Sequence, residues 1–109
     1  MLATIAERTA EVASLCRRYG VARLDVFGSA ARDDFDPSRS DIDFVVQFNE
    51  HAKLDMYENF FGLREGLEAL FGRPIDLLTT EQIKNPYLAA SIDVDKRTIY
   101  AEKASQAAE

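Results

Sequence analysis

The sequence predicts an α/β (α+β) protein, because helical and extended stretches alternate along it and each has its own apolar period. Apolar residues recur at helical spacing over Leu2 to Tyr19 and over His51 to Phe71. Short β-branched and aromatic runs fall between and after them, at Val21 to Phe27, Asp41 to Phe48 and Ile75 to Leu78. Gly20, Gly72 and the pair Asn85-Pro86 stand at the junctions, where helices stop or start.

Each element has its own justification. In the first helix Ile5, Val12, Leu15, Cys16 and Tyr19 share a stripe, with Glu7, Arg8, Glu11, Arg17 and Arg18 largely elsewhere. Cys16 lies on or beside that stripe and reads as a packing thiol, since free cysteine suits burial and no histidine is near it in sequence. In the first strand Leu24 and Val26 alternate with Arg23 and Asp25. Gly28 and Ser29 end that strand, and Ser29 is placed to cap a helical turn through Ala30, Ala31 and Arg32. The polar segment Asp33 to Ser40, which contains Pro37, reads as a loop whose acids Asp33, Asp34 and Asp36 face solvent. The second strand puts Ile42, Phe44, Val46 and Phe48 on one face and Asp41, Asp43 and Val45 on the other. Its run Phe44-Val45-Val46 is apolar on both sides, as a central strand covered on both faces would be.

Asn49 is placed to cap the helix from His51 to Phe71, and His51 reads as a surface residue at its start. Gly62 and Gly66 inside it cost roughly 1 kcal/mol each relative to alanine, so they mark either close packing or a break. Thr79 and Gln82 have capping-box spacing. A further helix is expected from Asn85-Pro86 to about Asp93. Arg97 to Ala101 either continues it or forms a last strand, which its β-branched and aromatic content favours. The tail from Glu102 is expected to fray.

Composition bounds the rest. A chain of 109 residues is expected to form one domain, and it can bury roughly two-thirds of its unfolded surface. No apolar run reaches the ~18 residues of a membrane span, and the N-terminus lacks a signal-peptide layout. One cysteine allows neither an intrachain disulfide nor a cysteine-rich metal site, so a cytoplasmic location is expected. A net charge of −6 argues against direct, sequence-independent nucleic-acid binding. It still permits a nucleotide carried with a divalent metal, which supplies the positive charge.

The chemistry concentrates in the carboxylates. Asp41 and Asp43, at i and i+2 of a strand, emerge on one face roughly 7 Å apart. Two such charges repel unless a cation or donor lies between them. Hard oxygen ligands suit Mg²⁺ or Mn²⁺, and Mg²⁺ completes its shell with water and substrate phosphates. Asp76 interrupts the apolar run Ile75-Asp76-Leu77-Leu78, where a purely structural carboxylate is hard to justify. It could complete a three-carboxylate cluster, or pair with an arginine such as Arg23. The Gly28-Ser29 turn supplies the other half of a site. Glycine admits a phosphate close to the backbone, the following amides and the Ser29 hydroxyl are donors, and Arg32 one turn on can hold a phosphate bidentately. Phosphate donors beside a metal cluster are what phosphoryl or nucleotidyl transfer uses.

The set Gly28-Ser29-x-x-Arg32, Ser40-Asp41-Ile42-Asp43 entering an apolar strand, and Asp76 in a later strand resembles the minimal nucleotidyltransferase (MNT) family of the DNA-polymerase-β-like superfamily. The resemblance spans Val21 to Leu78 most strongly, and the Asn85-Pro86 helix and the Ile99-Tyr100 end are similar too. It implies a mixed sheet with helices packed on it. By that resemblance Asp41 and Asp43 bind two Mg²⁺, and Asp76 is a third metal ligand or the general base. Gly28, Ser29 and Arg32 hold the triphosphate of ATP. One departure is Asp33, where many members have glycine; an extra acid there weakens triphosphate affinity or faces solvent.

Members this short lack the second domain with which larger relatives bind their acceptors. Many resemble the antitoxin of HEPN–MNT toxin–antitoxin modules, which in active members transfers AMP from ATP to a tyrosine of a HEPN ribonuclease toxin. That implies a HEPN partner for an acidic chain, with a homodimer or hetero-oligomer covering the apolar helix surface. Two other readings use the same residues: a non-catalytic antitoxin that neutralises by binding alone, and metal-dependent phosphate hydrolysis.

Overall fold

The computed structural model describes residues 2–31 and 41–102. In order it holds α1 (Leu2–Glu7), α2 (Thr9–Arg18), β1 (Val21–Phe27), β2 (Ile42–Phe48), α3 (Met56–Phe71), β3 (Ile75–Thr79), α4 (Pro86–Asp95) and β4 (Arg97–Ala101). Short 3₁₀ turns follow β1, precede α3 and follow β3. The strands form one four-stranded sheet of order β3-β2-β1-β4. β1 is antiparallel to β2 and β4, while β2 and β3 are parallel, so the sheet is mixed. The parallel pair needs a long crossover, which α3 supplies. Among the described residues no helix is long and apolar enough to cross a membrane.

The strand period separates the two faces. Leu24, Val26, Ile42, Phe44 and Val46 join Ile5, Val12, Cys16, Leu63 and Leu67 from α1, α2 and α3 in one buried core. On the opposite face Val45 meets Ala89 and Ile92 of α4 around a shared cavity. Val45 and Ile92 are both buried. The expectation of a central strand covered on both faces therefore holds for β2.

Gly62 and Gly66 resolve as close packing. A β-carbon on Gly62 would collide with the Tyr19 ring, and one on Gly66 would come within 2.6 Å of Leu15 Cδ2. The two glycines are where α3 lies against α2. Gly72 ends α3 with φ +66, which glycine adopts without strain. Asn85 caps α4 by accepting from the backbone N–H of Tyr87 at 2.8 Å and of Leu88 at 3.4 Å. The Thr79–Gln82 capping box forms, with the Thr79 N–H donating to Gln82 Oε1 at 2.8 Å. Arg97–Ala101 is a strand, held antiparallel to β1.

Three expectations need correction. The first helix is two helices, because Arg8 leaves helical geometry at φ −107 and ψ 18. There the Thr9 hydroxyl donates to the Ala6 carbonyl at 2.7 Å and the Arg8 N–H to the Ile5 carbonyl at 3.0 Å. The stretch from His51 begins as a 3₁₀ turn and becomes α-helical only at Met56, after Asp55 at φ −120 and ψ 45. Asn49 does cap, but it caps that turn: its Oδ1 accepts from the Ala52 N–H at 3.0 Å. Ser29 is not a cap, since it lies inside the 3₁₀ turn Gly28–Ala30, whose N-cap position is Phe27.

Candidate active site

The register of the sheet places the carboxylates. In the parallel pair β2–β3, Asp43 stands directly beside Asp76, just as Ile42 stands beside Ile75 and Phe44 beside Leu77. Register partners in adjacent strands point their side chains to the same face. Since Ile42, Phe44, Ile75 and Leu77 are buried, Asp43 and Asp76 belong to the other face, where Asp76 is exposed and Asp43 half-buried. Asp41 immediately precedes β2 and is exposed. The strand is anchored at that point by the Ile42 N–H, which donates to the Pro74 carbonyl at 3.3 Å.

On its other side Asp43 meets the end of β1. Phe27 is its antiparallel partner, and the next residue, Gly28, turns the chain with φ +71. A β-carbon at Gly28 would collide with Asp43 Oδ2. Glycine is needed here twice, for the left-handed backbone and for the space taken by the carboxylate. The Ala31 N–H closes the turn on the Gly28 carbonyl at 3.0 Å, with Ser29 half-buried between them. Arg32, expected to hold phosphate, lies outside the described residues, as do Asp33, Asp34 and Asp36 of the acidic loop.

Gly28 just past the end of β1, Asp43 on β2 and Asp76 on β3 thus lie side by side at this end of the sheet, with Asp41 just before β2. The donors are all carboxylate oxygens, the chemistry that hard divalent cations prefer. Among the described residues no three of His, Cys, Asp and Glu converge on a single point. The acids share one end of the sheet without closing into a ready ligand shell. Such an arrangement fits Mg²⁺, which is usually held by one or two carboxylates and completed by water and phosphate oxygens.

The alternative partner considered for Asp76, Arg23, is engaged elsewhere. Its Nε donates to both oxygens of Asp25 at 3.1 Å, and its Nη2 donates to Thr98 Oγ1 at 2.9 Å on β4. Asp25 is a carboxylate of this face that the sequence reading passed over. It is only 5% exposed and is the antiparallel partner of Val45. The signal was the one used for Asp76, an acid set between apolar strand residues, here Leu24 and Val26. Away from the site Cys16 is fully buried, and desolvation pushes its thiol pKa up to about 12, with the nearby Arg17 charge opposing weakly. It is a packing group, as its position on the apolar stripe of the first helices predicts.

With this geometry in place the likenesses of the chain become informative. Residues 12–100 match the nucleotidyltransferase domain family. A candidate protein adenylyltransferase of Methanocaldococcus jannaschii is 40% identical over 81 residues, covering 74% of this chain and 79% of that protein. The protein adenylyltransferase MntA of Thermococcus cleftensis is 38% identical over 77 residues, covering 71% and 74%. Among solved structures, a candidate minimal nucleotidyltransferase superposes with a TM-score of 0.71 at 32% identity, covering 88% of this chain and 93% of that one. The MNT antitoxin complex with tri-AMPylated Shewanella oneidensis HEPN toxin includes a chain with a TM-score of 0.59 at 14% identity, covering 94% and 76%. At that identity the likeness is one of fold.

Proposed function

The chain belongs to the nucleotidyltransferase domain family, and on that premise we propose that it is an antitoxin that transfers AMP from ATP to a tyrosine of a partner HEPN ribonuclease toxin, with Mg²⁺, and so neutralises it. The observation that carries this reading is the placing of Gly28, Asp43 and Asp76: a glycine turn pressed on one carboxylate, with a second carboxylate beside it. Relatives named as protein adenylyltransferases and a fold neighbour crystallised with an AMPylated HEPN toxin support the acceptor class.

In the proposed reaction the acceptor oxygen forms a bond to the α-phosphorus of ATP. The bond from that phosphorus to the bridging oxygen breaks, and pyrophosphate leaves. Asp41 and Asp43 would hold Mg²⁺, which would supply positive charge against the phosphate oxygens. Gly28 keeps the turn close to Asp43 and leaves its backbone open to phosphate, while the Ser29 hydroxyl and Arg32 donate to phosphate oxygens. Asp76, exposed on the edge strand β3, is reachable by an incoming hydroxyl and accepts its proton. A chain of net charge −6 suits the basic surface of a ribonuclease, the partner proposed to carry the acceptor.

Incubation with labelled ATP, Mg²⁺ and a HEPN toxin encoded beside it should label that toxin on tyrosine. No label from a soluble, stoichiometric pair overturns the reading. The double variant Asp41→Asn, Asp43→Asn separates transfer from masking. Transfer requires that the variant still bind the toxin yet fail to restore growth. If it still neutralises, the chain is a non-catalytic antitoxin.

A further inference from the structure

The start of α3 and the end of β3 enclose an open groove of about 490 Å³. Met56, Tyr57, Phe60 and Phe61 give it an aromatic-rich wall, and Thr79 and Gln82 line it from β3 and the turn that follows. The rings hold one another in place. Tyr57 lies 4.7 Å from Phe61, and Phe60 meets Phe61 edge-on at 5.2 Å. Yet Tyr57 is 79% exposed, and Leu54, just before α3, is 85% exposed. Apolar groups gathered in water mark interaction surfaces. Tyrosine suits such a surface, since it gives a large contact area for little lost rotamer freedom.

The charges around the groove decide what can cover it. Lys53, on one wall, is held by Glu50 at 3.2 Å and by Glu81 at 3.4 Å. Arg64 lies over the Phe61 ring at 5.5 Å and pairs with Glu68 at 3.7 Å. Both cations of this stretch are therefore matched by acids. Asp55 and Glu58, exposed at the start of α3, and Glu65 further along it add negative charge without a compensating cation in the stretch. An acidic rim disfavours phosphate-bearing polymers and anionic lipid. It also disfavours a second copy, because a two-fold interface sets a patch against itself and would bring these acids together. The complementary occupant is a segment that is apolar at its centre and basic at its edges.

We propose that this groove is the docking surface for a basic, apolar-faced segment of the partner toxin, with Tyr57 as its main anchor. The inference rests on the reading of the chain as the neutralising partner of a HEPN ribonuclease and adds where that partner is gripped. Thr79 is three residues beyond Asp76 on the edge strand β3, about 10 Å along it. A protein seated in the groove therefore lies alongside the carboxylates and leaves them free for ATP. Apolar contact with the rings supplies affinity, and the acidic rim supplies steering and register.

The test is equilibrium binding of the full chain to the purified HEPN toxin encoded beside it, without ATP and at two salt concentrations. Tyr57→Ala should weaken binding roughly 30-fold, the loss expected of an interface hot spot. The double variant Asp55→Lys, Glu58→Lys should weaken it at low salt and flatten its salt dependence. Tyr87→Ala, which removes an equally exposed ring on α4, should bind as wild type does. In labelled transfer Tyr57→Ala should raise KM for the toxin and leave kcat unchanged. Thermal melts check that each variant folds. Wild-type affinity in folded Tyr57→Ala, or an equal loss in Tyr87→Ala, overturns the docking surface and leaves the transferase reading intact. So does a wild-type homodimer in sedimentation that Tyr57→Ala turns into a monomer. Loss of binding in Tyr57→Ala beside a wild type that binds the toxin but never labels it supports the surface and overturns transfer. Failure of wild type to bind the toxin overturns both.

Discussion

The two faces of the sheet are made by the same strands and differ in almost everything else. On one face Leu24, Val26, Phe44 and Val46 are fully buried against α2 and α3. On the other, the residues one step along the same strands are Asp25, Asp43 and Val45, with Asp76 beside Asp43. The first face contributes burial free energy, at about 25 cal/mol per Å² of apolar surface. The second places like charges side by side, which opposes folding. A domain this small can carry such a site because alternation keeps its carboxylates off the core.

The comparison can be broken from either side, and the largest effect belongs to the acidic face. Asp43→Asn should lower AMP transfer to the toxin by about 10²- to 10³-fold, while the protein stays folded because the buried core on the other face is untouched. Labelled transfer and a thermal melt on one preparation check this; a variant that loses stability along with activity would make Asp43 structural. On the apolar face the effect reverses. Phe44 is fully buried and 6.3 Å from the Phe71 ring, so Phe44→Ala should cost about 3–5 kcal/mol, measured by urea unfolding.

Smaller effects sharpen the contrast within the core. Gly62→Ala forces the Tyr19 ring to move and should cost about 1–3 kcal/mol for overpacking, partly offset by the ~1 kcal/mol gain in helix propensity. Gly66→Ala meets only the end of the Leu15 side chain, so it should be nearer neutral in the same assay. The Cys16 thiol gives the smallest effect at neutral pH. Burial raises its folded pKa to about 12 from an ordinary 9.0, so the folded state holds the thiol proton more tightly. The stability this contributes is complete below pH 9 and is lost as pH rises towards 12. Cys16→Ala should flatten that part of the stability curve, and a thiol reagent at pH 8 should react with wild type only after unfolding.

Much of this contrast was legible in the sequence, because alternation and capping are short-range properties. β1 falls on the residues expected, and β2 begins one residue later than expected. Gly72 and Asn85 act as read. The misjudged breaks, at Arg8 and Asp55, carry no proline or glycine, and the helical period runs through both. Pairings between strands were the least legible. That Asp76 lies beside Asp43, and that Arg23 serves Asp25, depends on register, which no local pattern encodes. Gly28 was read as room for a phosphate; the structure adds a nearer reason, the Asp43 carboxylate against it.

The direct pairing of Asp43 with Asp76 also bears on how long the protein survives in a cell. A cation that relieves their repulsion binds the folded chain and not the unfolded one, adding about 2.7 kcal/mol when present at a hundred times its dissociation constant. Degradation of small domains often proceeds through the open population. Chelation should therefore shorten the half-life of the protein under limited proteolysis, Mg²⁺ should restore it, and Asp43→Asn should abolish the difference. In a toxin–antitoxin pair, that would tie the abundance of the neutralising partner to the supply of free magnesium.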